Sequence, residues 1–598
     1  MTNNVLRKCG LNPLNHSEMT GLNPNSSLQK ILVIVFMCIF VEAFAAFAEH
    51  SGFDPTGRSG DSPRQFELAD PLPPPEFTLP PLDKPSENEQ ASTMSSLRIM
   101  VSEIEITGNT VFSNSELNQI AQPYLNRQLA AEDIEALRRA LTVHYVERGY
   151  INSGAIIPDQ TLADGRIIIQ IIEGELTRIL VQTSGRLWPG YVENRLWLDG
   201  GPPLNIVDLQ QRMQLLQTDV RIERLNAELK PGLERGQAEL NVKVEEMIPY
   251  QLWFRFNNYQ SPSVGAERGE VSGIHNNLLG FGDVFSLTVG RSEGVSPKID
   301  LGYSIPLNAR ETTFSFQYRK NDFNSVEARF KPLDIQSQSN IYTLSLRQPL
   351  YRTLTREFAI GLGIEHLENT AYLLSEPFSF SYGSEDGKSK VTALRFSQEF
   401  IQRSQAQVLA LTSRFSFGIE AWNATIHDDS NIPDSRYIAW LGQFQWVNRL
   451  PLWDSQTIFR TDVQLSNEPL LSLEQIAVGG RYSVRGYREN QLVRDNAVIA
   501  SLEWRIPIIK EKSWADVIQL APFVDYGRAW NTTMETPYPD DLTSVGIGLR
   551  WERRLKPPAT LHPQFEIYWG IPFKNLNGNS DWNLQESGIH FQLSMSVF

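Results

Sequence analysis

The chain has 598 residues, 41% of them apolar and 21% charged, which excludes a disordered polypeptide. Its mean hydropathy of -0.29 is too polar for a bundle of membrane-spanning helices. The 54 basic and 69 acidic side chains give a formal net charge of -15, which argues against nucleic acid as a partner, because nucleic-acid-binding proteins normally carry a basic face.

Residues 1–48 have the pattern of a secretory signal peptide. Lys30 precedes the apolar run Ile31 to Phe40, and Ala46-Phe47-Ala48 forms a small-residue cleavage site. The alternative is a single-pass anchor, but the run is short for a transmembrane helix, and Glu42 would lie inside a longer one.

Both cysteines, Cys9 and Cys38, lie in this leader, so the mature chain is predicted to have none. Disulfides, thiolate catalysis and Cys-ligated metal are then excluded. A chain without thiols suits an oxidising compartment.

Residues 49–96 are predicted to form a Pro-rich linker. Seven prolines between Pro71 and Pro85 favour extended polyproline II backbone and exclude a long helix. Only Ser62 to Asp70 offers a short helix, with Ser62 as its N-cap and Pro63 at the first helical position.

Residues 97–175 and 176–248 are predicted to be two copies of one small α+β unit. The first unit contains a strand at Met100 to Thr107, a helix after the capping box Ser113-Asn-Ser-Glu116, a helix from about Ala131 to Gly149, and strands at Ala155 to Pro158 and Arg166 to Ile172. The second contains a strand at Arg178 to Thr183, a helix at Tyr191 to Leu198, a helix marked by Ile206, Leu209, Met213 and Leu216, and strands at Ile222 to Leu229 and Gln237 to Glu245. Two tandem β-α-α-β-β units indicate a binding arm whose sheet edges can accept an extended peptide as a further strand.

Residues 249–598 change to short segments in which apolar and polar side chains alternate. The clearest are Leu252 to Phe256, Phe314 to Tyr318, Leu409 to Ile419, Val545 to Trp551 and Ile589 to Val597. About sixteen such segments, roughly 22 residues each with their connections, predict an antiparallel transmembrane β-barrel with an apolar exterior and a polar lumen. An even number of strands places both barrel ends on the periplasmic side.

The alternative for this region is a soluble β-sandwich or propeller. Neither explains the terminal strand or the aromatic residues at strand ends. These are Trp440, Trp446, Trp504, Trp530 and Trp569. In a barrel, the inward Arg255, Arg319, Arg347 and Arg550 predict a partly basic lumen.

Signals for catalysis and cofactors are weak. Gly290-Arg-Ser-Glu-Gly294 matches the spacing of a nucleophile elbow, but Val295-Ser-Pro-Lys298 predicts a strand where an elbow needs a helix. The eight His residues show no metal-ligand spacing, and the sequence has no P-loop. We therefore expect no enzymatic activity, no metal and no cofactor.

A long connection, Asn467 to Asn496, lies between the eleventh and twelfth predicted strands and contains Gly479-Gly-Arg-Tyr-Ser-Val-Arg-Gly-Tyr487. Its core of Val484, Arg485, Gly486 and Tyr487 resembles the signature loop of the outer-membrane insertase and two-partner secretion superfamily. The next strand but one carries Phe523-Val-Asp-Tyr-Gly527, which resembles the F-x-D-x-G strand of that superfamily. This resemblance implies that Asp525, flanked by Phe523 and Gly527, faces the lumen and pairs with Arg485.

The first small unit resembles a POTRA domain in four segments: Gly108-Asn109, Tyr145-Val-Glu-Arg-Gly-Tyr150, Pro158-Asp-Gln160 and Glu173-Gly174. Over about residues 97–598, the chain is similar to the TpsB family of two-partner secretion transporters of the haemolysin activation/secretion type. The resemblance implies two periplasmic POTRA domains before a barrel in the outer membrane of a Gram-negative bacterium. It also implies a secreted TpsA-type exoprotein and outer-membrane lipid as partners. The terminal Phe598 implies the barrel assembly machinery as a further partner.

A buried guanidinium is costly unless it is paired, and it can hold a carboxylate through two hydrogen bonds. An Arg485–Asp525 pair could therefore pin a folded-in loop and later release it. The alternative is that Arg485 is an exposed loop charge.

The predicted function is capture of an unfolded exoprotein by the POTRA domains, followed by its passage through the barrel. One alternative is an assembly factor that inserts other barrels, although such proteins usually carry more POTRA units. Others are a diffusion porin, in which POTRA domains have no purpose, and an adhesin, for which loops such as Trp422 to Asp434 are modest. A neighbouring reading frame for a large β-helical exoprotein would favour secretion over all three.

Overall fold

The computed structural model describes residues 76–78, 98–161, 165–198, 201–328, 330–555, 561–576 and 583–597. The predicted signal peptide, the short helix expected at Ser62 to Asp70 and the terminal Phe598 lie outside these residues. Within the described ranges, no helix is both long enough and apolar enough to cross a membrane. The same ranges hold no cluster of His, Cys, Asp and Glu side chains suited to a metal ion. Of the linker, Glu76–Thr78 forms strand β1.

The first small unit has the expected β-α-α-β-β order with a small additional strand pair. Its elements are β2 (Ile99–Val101), β3 (Glu103–Thr107), α1 (Asn114–Ala121), β4 (Arg127–Leu129), α2 (Ala131–Val146), β5 (Gly154–Ile156) and β6 (Arg166–Ile172). The predicted first strand is divided into β2, which pairs with β4, and β3, which joins the sheet β3-β6-β5. Ser113 is the N-cap of α1 and accepts a hydrogen bond from the backbone N–H of Glu116 at 3.3 Å.

The second small unit repeats this order with longer strands. Its elements are β7 (Glu175–Thr183), α3 (Pro189–Trp197), α4 (Ile206–Gln217), β8 (Ile222–Pro231) and β9 (Gln237–Glu246). The sheet order is β1-β8-β9-β7, and β1 runs parallel to β8 with Phe77 opposite Ala227. Each unit was expected to leave sheet edge available, and in the second unit β1, from the predicted linker, covers the β8 edge.

Each of the two units has a carboxylate that accepts hydrogen bonds from the loop before its first helix. Glu173 accepts hydrogen bonds from the backbone N–H groups of Thr110 and Val111 at 2.7 and 2.9 Å, and from the Tyr145 hydroxyl at 2.8 Å. Glu246 accepts hydrogen bonds from the backbone N–H groups of Gly185, Arg186 and Leu187. Partial burial raises the pKa of Glu173, but its hydrogen bonds outweigh burial and hold that pKa below its ordinary value.

The remaining strands build a closed antiparallel barrel, as the alternation predicted. They are β10 (Tyr250–Asn257), β11 (Arg268–Asn276), β12 (Val284–Ser292), β13 (Val295–Pro306), β14 (Thr313–Asn324), β15 (Gln336–Arg352), β16 (Arg356–Leu373), β17 (Glu376–Pro377), β18 (Lys388–Arg403), β19 (Gln407–Ile419), β20 (Ile438–Leu450), β21 (Ser455–Ser466), β22 (Ile476–Val478), β23 (Leu492–Arg494), β24 (Asn496–Lys512), β25 (Ala515–Trp530), β26 (Asp541–Glu552), β27 (Leu561–Pro572) and β28 (Ile589–Val597). Three of these nineteen strands do not form the wall: β17 is a two-residue extension beside β16, and β22 and β23 form a separate two-stranded sheet. The other sixteen strands form the wall of the barrel. The barrel closes where β28 pairs with β10.

Side chains divide between the two faces of the wall as expected. Leu252, Phe254 and Phe256 are exposed on the outside. Carboxylates balance the expected basic lumen at three of its arginines. Arg347 pairs with Glu357 and Glu399, Arg550 with Glu566, and Arg255 with Glu270. The segment Gly290 to Gly294 leads into β13, so the helix that a nucleophile elbow requires is not present there.

Candidate functional site: a loop folded into the barrel

The connection between β21 and β24 folds back against the inner wall of the barrel. Its two limbs pair as the hairpin β22–β23, with Val478 opposite Leu492. Buried side chains of the loop and the wall form one apolar cluster, which includes Val478, Val484, Tyr487, Leu492, Ala497, Ile499, Ala529 and Leu542. The loop is therefore packed like part of a core.

Arg485 and Asp525 form the pair that the resemblance implied. Arg485 is 1% exposed and Asp525 is fully buried. The guanidinium donates from Nε to Asp525 Oδ2 at 2.7 Å and from Nη2 to Oδ1 at 2.8 Å. The backbone N–H of Arg485 donates to Oδ2 at 3.0 Å. This bidentate geometry is the strongest kind of ion pair, and it excludes the interpretation of Arg485 as an exposed charge.

Further groups of the wall complete the environment of Arg485. Its guanidinium also hydrogen-bonds Glu503 and donates to Ser501 Oγ, both on β24. Its Cζ lies 3.6 Å from the centroid of the Phe523 ring, within the range of a cation–π contact. The ring of Phe523, the first residue of the strand motif, therefore packs against the guanidinium of Arg485.

The glycines of the two motifs allow close approach between loop and wall. A Cβ on Gly527 would lie 2.5 Å from Val478 and 2.9 Å from Val484. Gly486 has φ +93°, and a Cβ there would lie 2.9 Å from the backbone of Gly570. Any larger residue at these positions would push the loop away from the wall.

Tyr487 completes the set of residues identified from the sequence. Its hydroxyl donates to the carbonyl oxygen of Thr543 and accepts from the backbone N–H of Lys574, both at 3.1 Å. The structure therefore brings all seven predicted residues together at one point of the inner wall.

A second buried ion pair was not assigned from the sequence. Arg481 donates from Nη2 to both carboxylate oxygens of Glu566, at 3.2 and 3.3 Å. Its Cζ lies 4.0 Å from the Tyr568 ring centroid, and Tyr259 also donates to Glu566, at 2.8 Å. Arg481 lies only four residues before Arg485, and Glu566 falls on an inward position of β27, but no sequence pattern links the two.

Two further ion pairs hold the loop to other parts of the barrel. Arg395 on β18 donates to Glu474 in the loop at 2.6 Å and to Glu365 on β16 at 3.1 Å. Arg488 on the loop donates to Glu327, in the connection after β14, at 2.5 Å. The loop thus contacts well-separated strands across the lumen, and ion pairs add to its apolar packing against the wall.

Two periplasmic α+β units, a sixteen-strand barrel and a loop pinned inside it define a class of protein: an outer-membrane transport barrel with POTRA domains. Residues 236–551 match the model of the haemolysin secretion/activation protein family ShlB/FhaC/HecB, and residues 99–174 match the ShlB-type POTRA domain. Because the first match covers more than half of the chain, the chain belongs to this family. It is a two-partner secretion transporter of the outer membrane, with its POTRA domains in the periplasm, and it secretes an exoprotein of the TpsA type.

Individual relatives agree with this assignment. The chain is 22% identical over 486 residues to the outer membrane transporter CdiB of Dickeya dadantii, which covers 79% of this chain and 82% of CdiB. It is 22% identical to the hemolysin transporter protein ShlB of Serratia marcescens, with 76% and 80% of the two chains covered. The solved structure of CdiB from Escherichia coli has the same fold, with a TM-score of 0.62, 21% identity, and coverage of 85% of this chain and 92% of that chain.

Proposed function

We propose that the loop from Asn467 to Asn496 is the movable closure of the secretion channel, and that Arg485 with Asp525 is its principal fastening. The observation that supports this most directly is the bidentate pair, which is buried on the inner wall although its arginine comes from a connecting loop. Water can replace such hydrogen bonds when the loop leaves, so the fastening is strong and reversible.

The second ion pair strengthens the same closure. Arg481 and Glu566 fix the tip of the loop to β27, whereas Arg485 fixes it to β25. A passenger that enters from the periplasm must displace both contacts before the channel is wide enough for a polypeptide. Folding of the passenger outside the cell could bias the direction of transport, and no nucleotide and no catalytic step is required.

Passenger capture is proposed to occur on the first POTRA domain, by addition of a strand to its sheet. The sheet order β3-β6-β5 leaves β3 and β5 as edge strands within the described residues. On the second POTRA domain, whose sheet order is β1-β8-β9-β7, β1 covers the β8 edge and β7 is the other edge strand among the described residues. An unfolded exoprotein offers the backbone hydrogen bonds that an open edge lacks.

The proposed domain limits are 1–48 for the signal peptide, 49–96 for the linker, 97–175 and 176–248 for the POTRA domains, and 249–598 for the barrel. The proposed partners beyond the exoprotein are outer-membrane lipid and the barrel assembly machinery. The match of residues 236–551 to the haemolysin secretion/activation protein family supports secretion over the insertase alternative.

Cysteine labelling tests the movable loop. Val484 is buried at the loop tip, so a Val484→Cys variant should react slowly with a membrane-impermeant maleimide at rest and faster while the passenger is being secreted. The control is Trp422→Cys, an exposed position in the β19–β20 connection, which should react equally in both conditions. A Val484→Cys variant that stays unlabelled during active secretion would contradict the proposal.

A further inference from the structure

An exposed apolar patch lies at the periplasmic rim of the barrel, where the second POTRA domain meets it. Its members and their exposed fractions are Trp188 50%, Met247 42%, Ile248 49%, Tyr250 59%, Leu279 57% and Phe281 49%. We refer to these six residues as the rim patch. Large apolar side chains concentrated in this way normally mark an interaction surface.

The rim patch is built from three chain segments held together by hydrogen bonds. The backbone N–H of Trp188 donates to the carbonyl oxygen of Gly280 at 2.8 Å, and the Trp188 and Phe281 rings meet edge to face at 6.3 Å. The backbone N–H of Asn276 donates to the carbonyl oxygen of Pro249 at 2.6 Å, which brings residues 247–250 beside the β11–β12 turn. The POTRA domain and the barrel therefore contribute to one surface.

Polar contacts keep the POTRA domain in this position. Arg221 donates to the carbonyl oxygen of Gly282 at 2.6 Å. Arg195 on α3 forms an ion pair with Glu311 in the β13–β14 turn, with 3.5 Å between Nε and Oε1. Arg221 is itself buried and paired with Asp219. Trp188 is thus fixed at the rim rather than carried on a freely rotating domain.

The rim patch continues the outer face of the barrel. Tyr250 belongs by alternation to the outward row of Leu252, Phe254 and Phe256, all of which are exposed. That row faces lipid in an outer-membrane barrel. Tryptophan and tyrosine favour the level of the lipid headgroups, because their rings combine apolar area with a polar group.

We propose that the rim patch is a lipid-binding surface that docks the second POTRA domain onto the headgroup region of the periplasmic leaflet. Its occupant is phospholipid of the surrounding membrane. Docking of the rim patch requires only that the barrel lies in the outer membrane, and it does not require the loop to move. Docking at this point would fix the orientation of the POTRA sheet below the channel.

Lipid-quenched fluorescence tests the docking. The full-length protein with Cys9→Ser and Cys38→Ser carries one further cysteine, labelled with an environment-sensitive fluorophore, in phosphatidylethanolamine–phosphatidylglycerol vesicles. Probes at Trp188→Cys, Ile248→Cys and Phe281→Cys should each be quenched about twofold by lipids with a nitroxide near the headgroup. Phe254→Cys is the reference on the outer face. Leu233→Cys, 99% exposed in the β8–β9 turn of the same domain, is the matched control and should not be quenched.

Two results would overturn the proposal. One is a Trp188→Cys probe that is quenched no more than the Leu233→Cys probe, even if Phe281→Cys is quenched, because the membrane would then touch the barrel turn but not the POTRA domain. The other is a rim patch that lipid does not quench and that becomes shielded only when the exoprotein is added. If Trp188→Cys does not fold, Ile248→Cys reports on the same patch, and equality with Leu233→Cys there also overturns the proposal.

Discussion

Replacement of Arg485 by alanine should release the loop without unfolding the barrel. The substitution removes two charge-assisted hydrogen bonds to Asp525 and the contacts with Glu503 and Ser501, while the backbone bond to Asp525 remains. Asp525 would be left buried without its guanidinium, whereas Glu503 keeps Arg505 at 2.7 Å. Breaking a buried pair in this way costs about 3–5 kcal/mol, roughly a factor of 10² to 10³ or more in the ratio of docked to undocked loop.

The wall strands do not depend on this contact, so the protein should still migrate as a heat-modifiable barrel. Single-channel recordings in planar bilayers should show more frequent and less regular openings. Secretion should fall sharply because a loop without its fastening no longer moves between one docked and one open position. The matched control is Arg528→Ala. Arg528 lies on β25, the strand of Asp525, and forms an exposed ion pair with Asp540, so its loss should lower the stability by at most about 1 kcal/mol. An Arg485→Ala channel that remains closed at rest and secretes normally would refute the reasoning.

Four further predictions concern the loop contacts and the first POTRA domain. Asp525→Ala should reproduce the Arg485→Ala defect in secretion, and the double variant should be less than additive; full additivity would mean that the two residues act separately. Glu566→Gln should weaken loop docking by about 1.5–3 kcal/mol, seen as added openings in bilayers, and unchanged recordings would contradict a second fastening. Glu173→Gln should lower the unfolding free energy of the POTRA region by about 1 kcal/mol at neutral pH. Folding lowers the pKa of Glu173, so the stability that its carboxylate contributes is present above the unfolded pKa and is lost as the pH falls through the folded pKa. The free energy of unfolding of Glu173→Gln should therefore decrease less on acidification than that of the unmodified protein. Deletion of residues 97–175 should leave a barrel that conducts ions but no longer binds passenger in a pull-down, and retained binding would place capture elsewhere.

Much of the fold could be predicted from the sequence because it rests on periodicity. The helical stripe ending at Leu216 and the alternation of Leu252, Phe254 and Phe256 each reflect burial of one face. The repeated small unit was visible because both copies keep the same element order. The boundary between β2 and β3 was missed, since both strands lie within one alternating run.

The contacts that depend on the closed barrel could not be predicted in this way. Arg481 and Glu566 are far apart in sequence and meet only because the loop folds inward and the wall closes. Arg485 and Asp525 are also distant, and they were connected only through the resemblance of their motifs. Strand β1 left no pattern at all, because three residues that pair through their backbone need no particular side chains.

The most direct test of the central claim is a secretion assay. A candidate exoprotein of the TpsA type would be expressed in cells with and without the chain, and its amount in the medium and in the periplasm would be measured. We expect the exoprotein in the medium only when the chain is present, while other outer-membrane barrels assemble normally in both strains. Export that does not depend on the chain, or retention of the exoprotein together with failure of other barrels to assemble, would contradict a dedicated secretion transporter.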